Sequence, residues 1–263
     1  MLNDLKVIPT EQIYLHEEYE HERLKKLSHK IKNEQVLKNP PIALQLAEDK
    51  YLILDGAHRT LSLKQLNCKR MVVQVVKADY LSIGAWSHHI SDSEGVLEVL
   101  KSNSNIFLSE DIESENIESE NIESENLIAT VFVNGIKYDL AINPEMEKDM
   151  EIKIRIWKEI VNAYTNKYPF TRITNDELIP SDGIVFSYTL LELYQIKQLV
   201  ESNLLLPAGV TKFKLNCGRI LNLNIPLSFL IREDFVEEDW NELLELWGKS
   251  IRLYTDPVLL CEV

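Results

Sequence analysis

The sequence is short of several residues and patterns whose absence narrows its class. Its three cysteines, Cys68, Cys217 and Cys261, lie far apart and form no CxxC pair. That argues for reduced thiols in a cytoplasm and against a structural zinc. No apolar run nears the roughly 20 residues that span a bilayer. The N-terminal MLNDLKVIPTEQIYL carries early acids and lacks a charged-then-apolar pattern, so neither membrane insertion nor export is expected. GxxxxGK[ST] occurs nowhere, which excludes a Walker phosphate loop. Basic charge is also scarce. The formal net charge is −14, whereas a protein built mainly to grip nucleic acid needs a concentrated basic face.

The acids are unevenly spread. Residues 109–126, SEDIESENIESENIESEN, hold eight acids and no base, and without them the charge is −6. The segment contains IESEN three times, from Ile112, Ile117 and Ile122. Three short self-repelling repeats are too few to bury a core as a solenoid, so a solvated low-complexity insertion is expected rather than a coil or a metal-binding tract. It suggests a division into a region over 1–100, an insertion over 101–127 and a second region over 128–263. With 263 residues, 45% of them hydrophobic, the chain can bury a sizeable core.

Periodicity predicts strands at Lys6–Pro9, Ile13–Leu15, Ile42–Leu46, Tyr51–Leu54 and Met71–Val76, with helices over His21–Val36 and Thr60–Leu66. Asn39-Pro40-Pro41 stops the first helix. Beyond the insertion, strands over Ile128–Val133 and Ile136–Leu140 flank the hairpin signal Asn134-Gly135. Helices are predicted over Glu151–Tyr164, Thr189–Val200 and Phe235–Trp247, and strands over Arg219–Ile225 and Ile251–Tyr254. The fold class is mixed α+β in both regions.

The chemistry gathers in Lys50–Val76, KYLILDGAHRTLSLKQLNCKRMVVQVV. A helix opening after a strand and a glycine offers unpaired N–H groups and a positive dipole end, which suits phosphate. Gly56 permits close approach, His58 and Arg59 add donors, and Thr60 can cap the helix or donate a hydroxyl. Asp55 is out of place beside an anion unless a cation intervenes, and magnesium held by one carboxylate plus phosphates is the usual arrangement. The turn therefore reads as a nucleotide–metal site, or else as a corner capped by Asp55 with Arg59 on the surface.

Together with Leu24–Ile31 and Asn39-Pro40-Pro41-Ile42, this stretch resembles the ParB/sulfiredoxin superfamily, whose turn binds nucleotide phosphates. Sulfiredoxins carry a catalytic cysteine where this chain has Ala57. Partition proteins carry a second arginine where it has Thr60, and a basic helical domain where it has the acidic repeat. The free-serine kinases are the branch that fits. Their likeness extends through Leu15-His16-Glu17-Glu18-Tyr19-Glu20, Ser82–His88 (SIGAWSH), Pro207–Phe213 (PAGVTKF), Leu221–Leu227 and Tyr254-Thr255.

The resemblance implies a ParB/sulfiredoxin-like N-terminal domain, with the second α+β region completing an active-site cleft. It implies phosphoryl transfer from ATP or ADP to L-serine, with magnesium, feeding siderophore (diaminopropionate) or cysteine synthesis. Glu17 would be the base, with Glu18 and Glu20 as close rivals. Asp55 would sit by the magnesium and the transferred phosphoryl. Gly56, Ala57, His58, Arg59 and Thr60 would cradle the phosphates, and Arg23 would reach one of them or form only a surface ion pair. Trp86, Thr211 and Lys212 would hold serine, although Trp86 could equally be core. Lys212 replaces a family arginine, keeping the charge but not the bidentate geometry. His88 and His89, read as helical neighbours facing apart, are expected to be structural, with His88 nearer the pocket. The competing class is a nucleotide- or haem-responsive ParB-like transcriptional regulator, which would bind DNA and lack kinase activity.

Overall fold

The computed structural model describes residues 2–91, 95–110, 126–143, 145–146, 149–165, 167–174 and 178–254. The elements run β1 (Leu5–Pro9), β2 (Ile13–Tyr14), α1 (His21–Glu34), β3 (Val36–Leu37), β4 (Ile42–Ala47), β5 (Lys50–Asp55), α2 (Ala57–Gln65), β6 (Arg70–Val76), β7 (Leu81–Ala85) and β8 (Ser87–Ile90). They continue with α3 (Val96–Ser102), β9 (Ile106–Glu110), β10 (Leu127–Val133), β11 (Ile136–Ile142), α4 (Met150–Thr165), β12 (Thr171–Ile173) and β13 (Ile184–Tyr188). The last are α5 (Leu193–Glu201), β14 (Thr211–Leu215), β15 (Ile225–Pro226), α6 (Leu227–Ile231) and α7 (Glu237–Ser250). The class is mixed α+β, as expected. Apart from Asn126, the IESEN repeats lie outside the described residues.

Five strands form a sheet in the order β1-β6-β4-β5-β2, and six form a second, β12-β8-β13-β10-β11-β9. The first sheet is a wall shared by two cores, because side chains alternate across a strand. Ile42, Leu44, Leu52, Leu54 and Val76 face a core built with β8, β10, β11, β13, α4 and α5. Ala43, Tyr51 and Ile53 face a core closed by Ile220, Leu223, Ile225, Leu227, Leu230 and Trp247. The chain therefore returns at its C-terminal end to finish packing that its N-terminal end began. The Trp247 indole N–H donates to the Leu223 carbonyl, fastening α7 to the returning loop.

Several boundaries differ from expectation. α2 begins at Ala57, three residues before the predicted start, because Gly56 serves as its N-cap in the left-handed region at φ 94°. SIGAWSH is strand, not helix: β7 pairs antiparallel with β14 and β8 with β13, joined through Trp86. α5 starts at Leu193 rather than Thr189, where the Glu192 and Gln195 side chains form a reciprocal capping box. Within Arg219–Ile225 only Ile225 belongs to a strand, since Asn222 (φ 58°) and Asn224 (φ 52°) are left-handed. Residues 251–254 form no strand. The Asn134-Gly135 hairpin is present, with β10 and β11 paired from Val133↔Ile136 outward.

Candidate active site

Asp55 ends β5, and the chain turns at Gly56 directly into α2. Among the described residues no side chain caps this helix, so its first amides are left open to a ligand. An added Cβ at Gly56 would come within 3.0 Å of the Arg59 guanidinium, which folds back across the turn. Arg59 donates Nη1 to the carbonyls of Asn39 (3.1 Å) and Pro40 (2.9 Å), and Nη2 to Asp55 Oδ2 (3.1 Å). It is neither a loose surface group nor an uncommitted fork for phosphate, because it ties the NPP turn to the strand end.

A second arginine, absent from the expected set, lies on the same carboxylate: Arg219 Nη1 is 2.5 Å from Asp55 Oδ2. Burial opposes ionisation of Asp55, but the Arg59 and Arg219 charges outweigh it and hold the carboxyl below its ordinary value. The cations that account for an acid in this turn are thus two guanidiniums. Nothing local marks Arg219, which stands 164 residues along the chain from its partner.

Thr60 does not cap the helix. It sits one turn inside α2, fully buried, its amide bonded to the Gly56 carbonyl. Its Oγ1 has no hydrogen-bond partner among the described residues. Ala57 is buried at the helix start. The His58 Nε2 accepts from the Glu20 amide at 3.1 Å; burial and the charge of Arg23 lower its pKa despite Glu20 nearby. Arg23 is exposed on the first turn of α1 and close enough for that charge to be felt.

The HEEYE segment is extended and stitched to the Leu206 loop. The Leu206 amide donates to the His16 carbonyl and the Glu18 amide to the Leu206 carbonyl, both at 2.8 Å. This brings Glu17 against Gly209, whose amide donates to Glu17 Oε2 at 3.0 Å. Burial raises the Glu17 pKa from 4.5 to about 7; the Gly209 amide and Arg172 counteract it, while Asp55 and Glu20 add to the rise. The rivals are committed elsewhere, Glu18 to Lys158 at 2.7 Å and Glu20 to Arg172 at 3.0 Å. Glu17 is thus poised to exchange a proton near neutrality. Arg172, on β12, also escaped the sequence reading.

Trp86, Thr211 and Lys212 come together through the β7–β14 pairing. Thr211 lies opposite Ala85, Lys212 opposite Gly84, and the Trp86 amide donates to the Val210 carbonyl at 3.0 Å. Trp86 is partly buried, with Lys212 Nζ 4.5 Å from its ring centre. Its face therefore carries a cation as well as packing area.

No group of three or more His, Cys, Asp or Glu side chains able to hold a metal occurs among the described residues. Both arginines bond Asp55 through Oδ2, which leaves Oδ1 for a cation. That donor set fits a magnesium ion held chiefly by nucleotide phosphates, and not a metal caged by protein.

No family model matches the sequence. It is 28% identical over 263 residues to the ATP-dependent L-serine kinase SbnI of Staphylococcus aureus, covering 98% of this chain and 97% of that one. The structure of C-terminally truncated SbnI superposes with a TM-score of 0.77 at 25% identity, over 95% of this chain and 98% of that one. A free serine kinase in complex with AMP shares the fold at a TM-score of 0.66 and 19% identity, over 86% of this chain and 93% of that one. A variant of a free serine kinase with a glutamate replaced by alanine, in complex with ADP, gives 0.67 at 19% identity and 86% coverage of this chain. The likeness to free-serine kinases read from the motifs thus extends across the chain.

Proposed function

We propose that this chain is a free L-serine kinase that moves a phosphoryl group from an adenine nucleotide to the serine hydroxyl. The observation that carries the reading is the placement of Glu17. A carboxyl with a pKa near 7 is close enough to the Asp55 turn to feel its charge, and one backbone contact from the PAGVTKF loop. The similarity to SbnI is to an enzyme named for this activity, which favours the kinase over the regulator.

In this reading the open amides of Ala57, His58 and Arg59 receive the phosphates, with the Arg219 guanidinium beside them. Gly56 lets them approach, and Arg23 and His58 add donors at the rim. Arg59 keeps the turn in shape, and Thr60 supports α2 from within. Lys212 and Thr211 hold the serine carboxylate while Trp86 flanks the substrate. Glu17 takes the proton from the serine hydroxyl as its oxygen bonds to the terminal phosphorus. The bond from that phosphorus to the bridging oxygen breaks, and the shortened nucleotide leaves with the electron pair. Magnesium, held by the phosphates and Asp55, would neutralise charge on the transferring group. ATP is the expected donor, with phosphoserine passing to a step that displaces an activated serine oxygen. A cytoplasmic setting suits both substrates.

The test is direct. Purified protein is incubated with L-serine and either ATP or ADP, with and without magnesium, and phosphoserine is followed by 31P NMR. Magnesium-dependent phosphoserine from ATP is expected. Its absence with both donors, from protein that still binds nucleotide, would overturn the reading.

A further inference from the structure

Behind Glu17 lies a buried line of polar side chains that phosphoryl transfer itself does not touch. Tyr188 on β13, Tyr164 on α4 and His88 on β8 are all buried. The two tyrosine hydroxyls bond each other. The Tyr164 hydroxyl lies 2.6 Å from His88 Nδ1, and His88 Nε2 lies 2.9 Å from the Gly209 carbonyl oxygen.

The protons in this line can be assigned. A carbonyl only accepts, so His88 Nε2 carries hydrogen. Burial lowers the His88 pKa to about 4, outweighing the Gly209 bond that favours the charged form, so the ring is neutral and Nδ1 accepts. Tyr164 therefore donates to His88, and Tyr188 donates to Tyr164. Burial raises both tyrosine pKa values, so both keep their protons. The whole line then runs one way and ends on Gly209.

Gly209 is held on three sides. Its carbonyl takes the His88 proton, its amide is given to Glu17, and its open face lies under Arg172. A Cβ there would sit 2.1 Å from Arg172 Nη2, and the residue's φ of 74° belongs to the left-handed region. A free glycine would explore many conformations, but this one has a single orientation in which every contact is made. An apolar core would avoid the desolvation of three polar side chains, so the network calls for a purpose beyond filling space.

Resting on the reading of Glu17 as the base, we propose that Tyr188, Tyr164 and His88 form a positioning relay that locks the Gly209 backbone and so holds the Glu17 carboxylate in place for the serine hydroxyl. The relay carries no charge. The charged groups that act on Glu17 are Arg172 from β12, Asp55 from β5 and Glu20 from its own segment, and none of them is altered when the relay is cut. Because the Gly209 amide favours the carboxylate form, loosening it moves the Glu17 titration upward.

The experiment follows the Glu17 side-chain carboxyl by 13C NMR titration, with kcat and KM against pH, in wild type, Tyr164→Phe, His88→Leu and His88→Gln. Tyr164→Phe removes the hydroxyl that fixes the His88 tautomer, His88→Leu removes the donor, and His88→Gln keeps an N–H within reach of Gly209. Tyr164→Phe and His88→Leu should titrate about half a unit to one unit higher, the worth of one loosened hydrogen bond. The acidic limb of kcat should move with them, the nucleotide KM should stay constant, and His88→Gln should return the titration towards wild type. Should His88→Leu fail to fold, Tyr164→Phe carries the measurement. A Tyr164→Phe titration that matches wild type overturns the relay and leaves the kinase standing. A shifted titration in a protein that makes no phosphoserine overturns the kinase and leaves the relay.

Discussion

Replacing Glu17 by glutamine separates the chemical consequence of its burial from the energetic one. The glutamine carbonyl can still accept the Gly209 amide, so the stitch between the two segments is kept. The proton acceptor is lost, and removal of a positioned base costs about 100- to 10,000-fold in kcat, with both KM values little changed. Stability should move the other way. Burial raises the folded-state pKa of Glu17 from 4.5 to about 7, so the unfolded chain releases this proton first as pH rises. Folding therefore loses free energy between about pH 4.5 and 7, and the loss is constant above that range. At about 1.4 kcal/mol per unit the penalty is on the order of 3–4 kcal/mol. Glutamine has no proton to release, so Glu17→Gln should melt about 6–16 °C above wild type at pH 8. The two proteins should converge near pH 4.5. Thermal melts at pH 4.5, 6 and 8, paired with phosphoserine formation, read both effects. A variant that keeps kcat within a few-fold, or melts no higher than wild type at pH 8, would falsify the reasoning.

Two other side chains divide the site between its substrates. Arg219→Gln removes one of the two guanidiniums on Asp55 and should weaken nucleotide binding about tenfold by calorimetry, the worth of one charge-assisted hydrogen bond; an unchanged Kd would remove Arg219 from the phosphate site. Lys212→Met keeps the stem on Trp86 but loses the charge over its ring. It should raise the serine KM about tenfold or more and leave the nucleotide KM alone, whereas an equal rise in both would count against a serine pocket there.

What could be read in the sequence was local. Strand end, glycine and helix start in LDGAHR are contiguous, so the turn could be placed and its phosphate character inferred. Glu17 could be singled out only through the resemblance, because three acids in HEEYE look alike until Lys158 and Arg172 claim two of them. The arginines that complete the site left no local signal, since Arg172 and Arg219 become meaningful only when distant strands and loops meet Gly209 and Asp55. SIGAWSH was misread for a similar reason. Its glycine and tryptophan gave no clear period, and the strands that pair with it lie at Thr211–Leu215 and Ile184–Tyr188. β13, central to the second sheet, was missed altogether, a short apolar run that periodicity alone cannot assign.

The shared wall has a consequence for the making of the protein. The core facing β8, β10, β11, β13, α4 and α5 draws on residues no later than Cys217, whereas the core on the other side of the wall needs Ile220 to Trp247. A chain emerging from the ribosome can therefore complete its second-encoded half first. The β1–β6 sheet waits, one face uncovered, until α6 and α7 arrive. The usual order, N-terminal unit before C-terminal unit, is inverted, and the phosphate turn is among the last parts of the molecule to become rigid. A nascent chain stalled before α7 should bind no nucleotide, however well its serine pocket has formed.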